Sequence, residues 1–369
     1  MSIHHANNRI MLNKTPLHIH AIRLPYGNVY EDWWVTPEGQ VSDQPIAGAA
    51  EVDGNYVMSG MVDAHLHLTM SFGLFDHPDA SPEVIAANVN AKLHQGVLAV
   101  RDAGTLPGSK IDPTQFKQMQ IITCGDIYAP PNGCFPGIYI PTQTDTLIEK
   151  ALEAIANGTK WIKIIADFPG PDFNFYRPII NYDGETIKKL CDAAHANGAR
   201  VAAHVSGPHV EACVRAGVDS IEHGNFINEA LLTEMAQRGT AWVPTLSTVS
   251  FYAKQFMQAG GILGTDAQEN DDLMRKTLAA ATKTGVTIMA GSDEKPEDFA
   301  QEIILLNEYG LSPQAALAAA ADHARAYLGL PAFAVGAAAD VVLFNTDPRQ
   351  NLNVLRQPSA IISNGVMLS

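Results

Sequence analysis

The segment Asp63-Ala64-His65-Leu66-His67 carries two imidazoles at positions i and i+2. On a strand, such positions face the same way, so both rings can converge on one metal ion. Four more reactive side chains end or interrupt apolar stretches. Lys163 stands alone in Trp161-Ile162-Lys163-Ile164-Ile165, and His204 closes Ala202-Ala203-His204. His223 closes Ile221-Glu222-His223, and Asp293 follows Ala290-Gly291-Ser292. Each has a plainer reading. A histidine pair is often incidental, a lone lysine can snorkel, and an aspartate after a strand often caps a helix. Four histidines, a lysine and an aspartate that all close strands of one architecture point instead to a metal site. Imidazole and carboxylate donors suit zinc, manganese, iron or cobalt. The other histidines are read as bystanders: His4, His5, His18 and His20 near the amino terminus, His77 in a loop, and His94, His195 and His323 on or near helix faces. His209, which opens a helix, is the one of these that can approach the site.

The elements that must position these residues alternate. Strand patterns cover 60–64, 97–100, 119–124, 161–166, 201–204, 219–222, 240–244 and 286–290. Helical patterns fill 82–95, 145–157, 184–197, 208–216, 228–238, 266–283, 296–309 and 313–328, several ending at a glycine stop such as Asn197-Gly198. Apolar strands separated by helices imply parallel β/α units, and the span suits a (β/α)8 TIM-like barrel. A doubly wound open sheet is the rival, but no GxGxxG follows an early strand. Barrel strands present their C-terminal ends at one mouth, where all six residues belong. Short strands with tight turns fill 1–58 and return after 335, which predicts a small β-sandwich domain built from both termini. The expected division is therefore 1–58 with 335–369, and 59–334 for the barrel.

Composition narrows the function. The chain has 369 residues with a formal net charge of −15, 46% apolar and 17% charged. That excludes intrinsic disorder and disfavours nucleic acid or anionic membrane as partners. No stretch approaches the roughly 18 apolar residues of a membrane span. The first thirty residues hold no apolar signal core, and the four cysteines form no paired pattern. A cytoplasmic protein with reduced thiols is expected, acting on a small-molecule substrate, as a homo-oligomer.

The sequence resembles the amidohydrolase superfamily, and within it the imidazolonepropionase-like and Xaa-Pro dipeptidase (prolidase)-like branch. The matching stretches are Gly60-Met61-Val62-Asp63-Ala64-His65-Leu66-His67, Val100-Arg101-Asp102-Ala103-Gly104, Ile162-Lys163-Ile164 and Ala203-His204. They continue through Ile221-Glu222-His223-Gly224, Val243-Pro244-Thr245-Leu246, Gly291-Ser292-Asp293, Gly310-Leu311-Ser312-Pro313 and Ala339-Asp340-Val341-Val342, in the family's order. The resemblance implies a centre of two divalent metal ions, zinc first among the candidates. His65, His67 and Asp293 would bind one ion and His204 and His223 the other, with Lys163 bridging as a carbamate formed from carbon dioxide. Three departures stand out. Ser59 replaces a usual proline, and 335–340 is short. The loop Pro130-Pro131-Asn132-Gly133-Cys134-Phe135-Pro136-Gly137 lacks the Gly-Gly-His-Gly-type segment of dipeptidase-like relatives.

The resemblance implies a binuclear metal-dependent amidohydrolase that cleaves a C–N bond (amide, cyclic amide or peptide-like) by attack of metal-bound hydroxide, with Asp293 as proton shuttle. A lactonase or organophosphate ester hydrolase needs the same site. A non-catalytic structural homologue would be expected to lose ligands, and all six are present. Loops after the third and fourth barrel strands form the substrate wall in such a barrel. The insert running from Asp167 to Pro178 is aromatic-rich, so Tyr176 and Arg177 are candidates to hold a substrate carboxylate as part of a lid. Tyr128 and Tyr139 are weaker pocket candidates. Arg101 and Asp102 are expected to form a structural ion pair.

Overall fold

A computed structural model describes residues 15–70, 80–294 and 296–368. His4, His5 and His77 lie outside the described residues. Strand and helix alternate through the middle of the chain. Met61–Leu66, Val97–Asp102 and Gln120–Thr123 pair in parallel. A second run pairs Ile127–Ala129, Trp161–Ile165, Arg200–Val205, Ser220–His223 and Ala241–Val243, also in parallel. Only Cys124, Gly125 and Asp126 separate the two runs along the chain. At the other side, single parallel bridges join Trp242 to Ile288 and Leu66 to Asp293. The expected strand at 286–290 is thus present as isolated bridges. Its close approach depends on Gly291, where a Cβ would stand 2.6 Å from Val243 Cγ1 and 2.7 Å from His65 Cβ.

These strands are buried on both faces, as β/α crossovers require. Their helices start where side chains can take orphan amides. Ser81, Asp183, Asn228 and Ser312 accept from Val84, Thr186, Leu231 and Ala315 respectively. Two helices differ from the sequence expectation. Leu246–Ala259 forms a helix between the strand expected at 240–244 and the helix expected from 266, where no element is expected, and the next helix begins earlier, as Gly261–Ala281. The cause is local. Thr245 turns the chain with φ 48°, and Gly260 and Gly261, both at positive φ, break what would otherwise be one long helix into a packed pair.

Both termini meet in one eight-stranded sheet. Tyr56–Ser59 pairs with Val341–Phe344, which carries Ala360–Ser363 and Val366–Met367 beyond it; Leu17–Arg23, Tyr30–Val35 and Val41–Ser42 extend the other side. The described pairings make a single sheet, where two facing layers were expected. One face packs Ile19, Trp33, Val57, Val341, Leu343 and Ile362 together. All four cysteines are free and buried.

Candidate metal centre

The strand ends bring His65, His67, His204, His223, Lys163 and Asp293 to one cavity of about 340 Å³. Register explains the convergence. Ile165 lies opposite His204, and Val205 opposite His223, so neighbouring parallel strands deliver their polar termini at one level. One ligand atom each from His65, His223 and Asp293 lies within 4.8 Å of the others. Asp293 Oδ1 is 3.6 Å from His65 Nε2 and 3.7 Å from His67 Nε2. Those gaps are too long for hydrogen bonds, yet a cation can sit between such atoms.

The outward nitrogens are already anchored. His65 Nδ1 meets Glu222 Oε2 at 2.6 Å, His67 Nδ1 donates to the Gly104 carbonyl at 2.9 Å, and His223 Nδ1 lies 2.7 Å from Thr245 Oγ1. His204 is held by the opposite atom, Nε2, 3.0 Å from Ser206 Oγ, which leaves Nδ1 for a cation. Anchoring one ring nitrogen fixes the ring so that the other can ligate. Burial, reinforced by the charge on Lys163, lowers the proton affinity of His67 to about 4 and of His204 to about 3. His65 is pushed well down by burial and Lys163, and His223 by burial and its histidine neighbours. All four are therefore neutral, the form that binds metal. The donor set fits a divalent cation.

Lys163 is 2% exposed, and burial pushes its ammonium down against the pull of Glu222. Burial, with Glu294 beside it, pushes the Asp293 carboxyl well up. Strand-end strain accompanies the site: His223 and Asp293 have φ of 66° and 51°. Non-glycine residues hold that region only when their surroundings fix them, a pattern common at functional sites.

Sequence reasoning passed over the residues that do the fixing. Glu222 is fully buried and joins His65 to Arg101, whose Nη2 lies 2.7 Å from Oε1; Arg101 also donates to Ser220 Oγ and to the Ala64 carbonyl. Burial works against the Glu222 charge, but Arg101 and His65 hold the carboxyl well below its usual range. The expected Arg101–Asp102 pair does not form. Successive strand residues point to opposite faces, and Asp102 turns the other way to accept from the Leu68 and Gly104 amides. Asp63, also fully buried, bonds Lys92 Nζ at 2.7 Å and the Ser292 amide at 3.0 Å, clamping the turn that presents Asp293. Glu302 accepts from the Leu246 and Ser247 amides and so secures the helix after Thr245.

The substrate candidates divide. Tyr176 lines the cavity. Arg177 does not: its side chain is 63% exposed, and its Nε and Nη2 grip both oxygens of Asp266 at 2.6 and 2.7 Å. Tyr128 also lies off the cavity, packed in the main core at 4% exposure. Strand alternation is the reason, since Ile127 takes the cavity-facing position. Tyr139 packs beside the cavity cluster, and its hydroxyl accepts from the Asn132 amide. His209 bonds the Tyr182 carbonyl and is not among the lining residues. The Leu246–Ala259 helix, absent from the sequence expectation, supplies Thr248, Val249, Tyr252, Gln255 and Phe256 to the wall.

Comparisons with known proteins agree with this geometry. An uncharacterized protein of Mycobacterium tuberculosis (strain ATCC 25618 / H37Rv) is 31% identical over 359 residues, 95% of each chain. A solved structure described as a putative prolidase from Bifidobacterium longum superposes with a TM-score of 0.79 at 24% identity, covering 96% of this chain and 94% of that one. The ochratoxinase of A. niger gives a TM-score of 0.80 at 19% identity, covering 96% of both chains. These likenesses show a TIM-barrel-like α/β fold. The model of the amidohydrolase family matches residues 56–368. The chain therefore belongs to the amidohydrolase family and is a hydrolase of carbon–nitrogen bonds.

Proposed function

We propose that this chain is a binuclear metal-dependent hydrolase that cleaves an amide, cyclic amide or peptide-like bond. His65, His67 and Asp293 would hold one divalent cation, His204 and His223 the second, and Lys163, carboxylated by carbon dioxide, would bridge them. One observation carries this reading. Three ligand atoms lie within 4.8 Å of one another in the cavity that holds buried Lys163, two on His65 and His223, whose other ring nitrogens are already engaged, and one on the Asp293 carboxylate. Only a neutral lysine amine can add to carbon dioxide, and burial favours the neutral form. We also propose that the bridges at Trp242–Ile288 and Leu66–Asp293 close a (β/α)8 barrel over 59–334, with 1–58 and 335–369 as the second domain.

When bound, divalent cations polarise the scissile carbonyl and bring the pKa of a coordinated water toward about 7. Asp293 accepts a proton at a carboxylate oxygen and returns it to the leaving nitrogen. Asp63, through Ser292, keeps the carboxylate aimed into the cavity. The apolar wall excludes water from the reacting carbonyl.

The test combines metal analysis with hydrolysis of N-acyl amino acids, dipeptides, cyclic amides and lactones, for the purified protein and for Lys163→Met. Two divalent ions per chain with amide cleavage support the reading, provided both are lost in the variant. Undiminished activity in the variant would remove the bridging role.

A further inference from the structure

The cavity above the metal centre has a chemistry of its own. Phe168 meets Phe135 edge to face at 4.9 Å between ring centroids and Phe175 at 6.1 Å, giving one aromatic wall. Tyr176, Phe256 and Tyr252 form a second, with centroid spacings of 6.4 and 6.3 Å. All six rings line the cavity. An apolar cavity of roughly 150 Å³ admits one benzene. At about 340 Å³, this one has room for two ring-sized groups.

Charge is distributed the other way. Among the described residues that line the cavity, the lysine or arginine side chain present is that of Lys163, which belongs to the metal centre, while Glu294 adds a carboxylate bonded to Tyr252. A substrate carboxylate seated between the rings would lose its water with no guanidinium among the described lining residues to replace it. Arg177 stands outside, both of its gripping nitrogens spent on Asp266, which also accepts from Asn174. That pair ties the aromatic loop to the Gly261–Ala281 helix and so fixes the position of Phe175 and Tyr176.

We propose that the substrate is a neutral amide bearing an aromatic group on each side of the scissile bond, seated between these walls, and that Arg177 is a positioning residue for the wall and not a receptor for a substrate carboxylate. The proposal rests on the amide-hydrolase reading above. In the reaction the acyl carbon–nitrogen bond breaks and water is added, leaving a carboxylate, an amine and one proton.

Three probes that release an aromatic amine make the test: N-phenylbenzamide, N-phenylacetamide and 4-benzamidobenzoate. The metal-loaded enzyme should show kcat/KM at least tenfold higher for N-phenylbenzamide than for either of the others. Phe175→Ala should erase most of the preference over N-phenylacetamide through KM. Arg177→Ala should lower kcat/KM for the neutral and carboxylate probes by the same factor. Preference for 4-benzamidobenzoate, with Arg177→Ala damaging that probe alone, would overturn the proposal and leave amide hydrolysis standing. If no probe is cleaved, calorimetric binding of N-phenylbenzamide decides: binding weakened tenfold by Phe175→Ala upholds the aromatic walls and sinks the hydrolysis of such amides, while absent or unaltered binding overturns the proposal.

Discussion

Two strands of this protein carry the same spacing and opposite chemistry. Leu17–Arg23 holds His18 and His20 on either side of buried Ile19, and Met61–Leu66 leads into His65 and His67 on either side of buried Leu66. His18 and His20 lie on the surface of an antiparallel sheet. Both bond Asp32, His18 also bonds Glu51, and each ring stacks on an aromatic neighbour, Trp34 or Tyr30. The hydrogen bond that His18 donates to Glu51 draws the imidazole above its ordinary proton affinity. His65 and His67 end a parallel strand, face other imidazoles, a lysine and an aspartate, and are held neutral by burial. Spacing gives two rings one direction; the neighbours decide whether they bind protons or metal.

The strongest way to break this comparison is at the buried pair's partner. Asp293→Asn should reduce kcat by about a thousandfold, the scale of a lost proton shuttle, with the melting temperature nearly unaltered. Next is Glu222→Gln, which leaves Arg101 buried without its counter-ion. Breaking such a pair costs about 3–5 kcal/mol, and a lost histidine anchor weakens metal affinity about 10–100-fold. Denaturant unfolding and metal titration read the two effects separately. Equal stability and metal affinity in the variant would show that Glu222 does not hold His65.

The surface pair should respond in the opposite sense. His18→Gln should leave metal content and turnover unaltered. Because the folded protein raises the His18 value above 6.5, its contribution to stability is complete below pH 6.5 and fades as pH rises through the folded value. The stability gap between the parent and His18→Gln should therefore shrink above pH 6.5, a small effect visible in urea midpoints measured across pH. A gap that widens instead would mean that Glu51 and Asp32 do not favour the charged ring.

The six ligand candidates were legible because each interrupts or ends a run of apolar residues, and a parallel strand must end at the mouth. What holds them was not. Glu222 sits beside His223 in sequence but serves His65, and Arg101 serves Glu222 rather than its neighbour Asp102. Such partners are set by register across strands, which one sequence does not display. Tyr128 was misplaced although strand alternation, with apolar Ile127 beside it, could have warned of it. The Leu246–Ala259 helix escaped because Pro244 and the left-handed Thr245 hide its start. Five residues of the cavity wall escaped with it, Thr248, Val249, Tyr252, Gln255 and Phe256. The terminal strands merge into one sheet through pairings such as Val341 with Ser59, a register that one sequence does not display.

The central claim is most directly tested by counting divalent ions in the protein as isolated, beside Lys163→Met prepared in the same way. The account predicts two per chain in the parent, with binding collapsed in the variant. A parent that binds none, or a variant that keeps both, would contradict it.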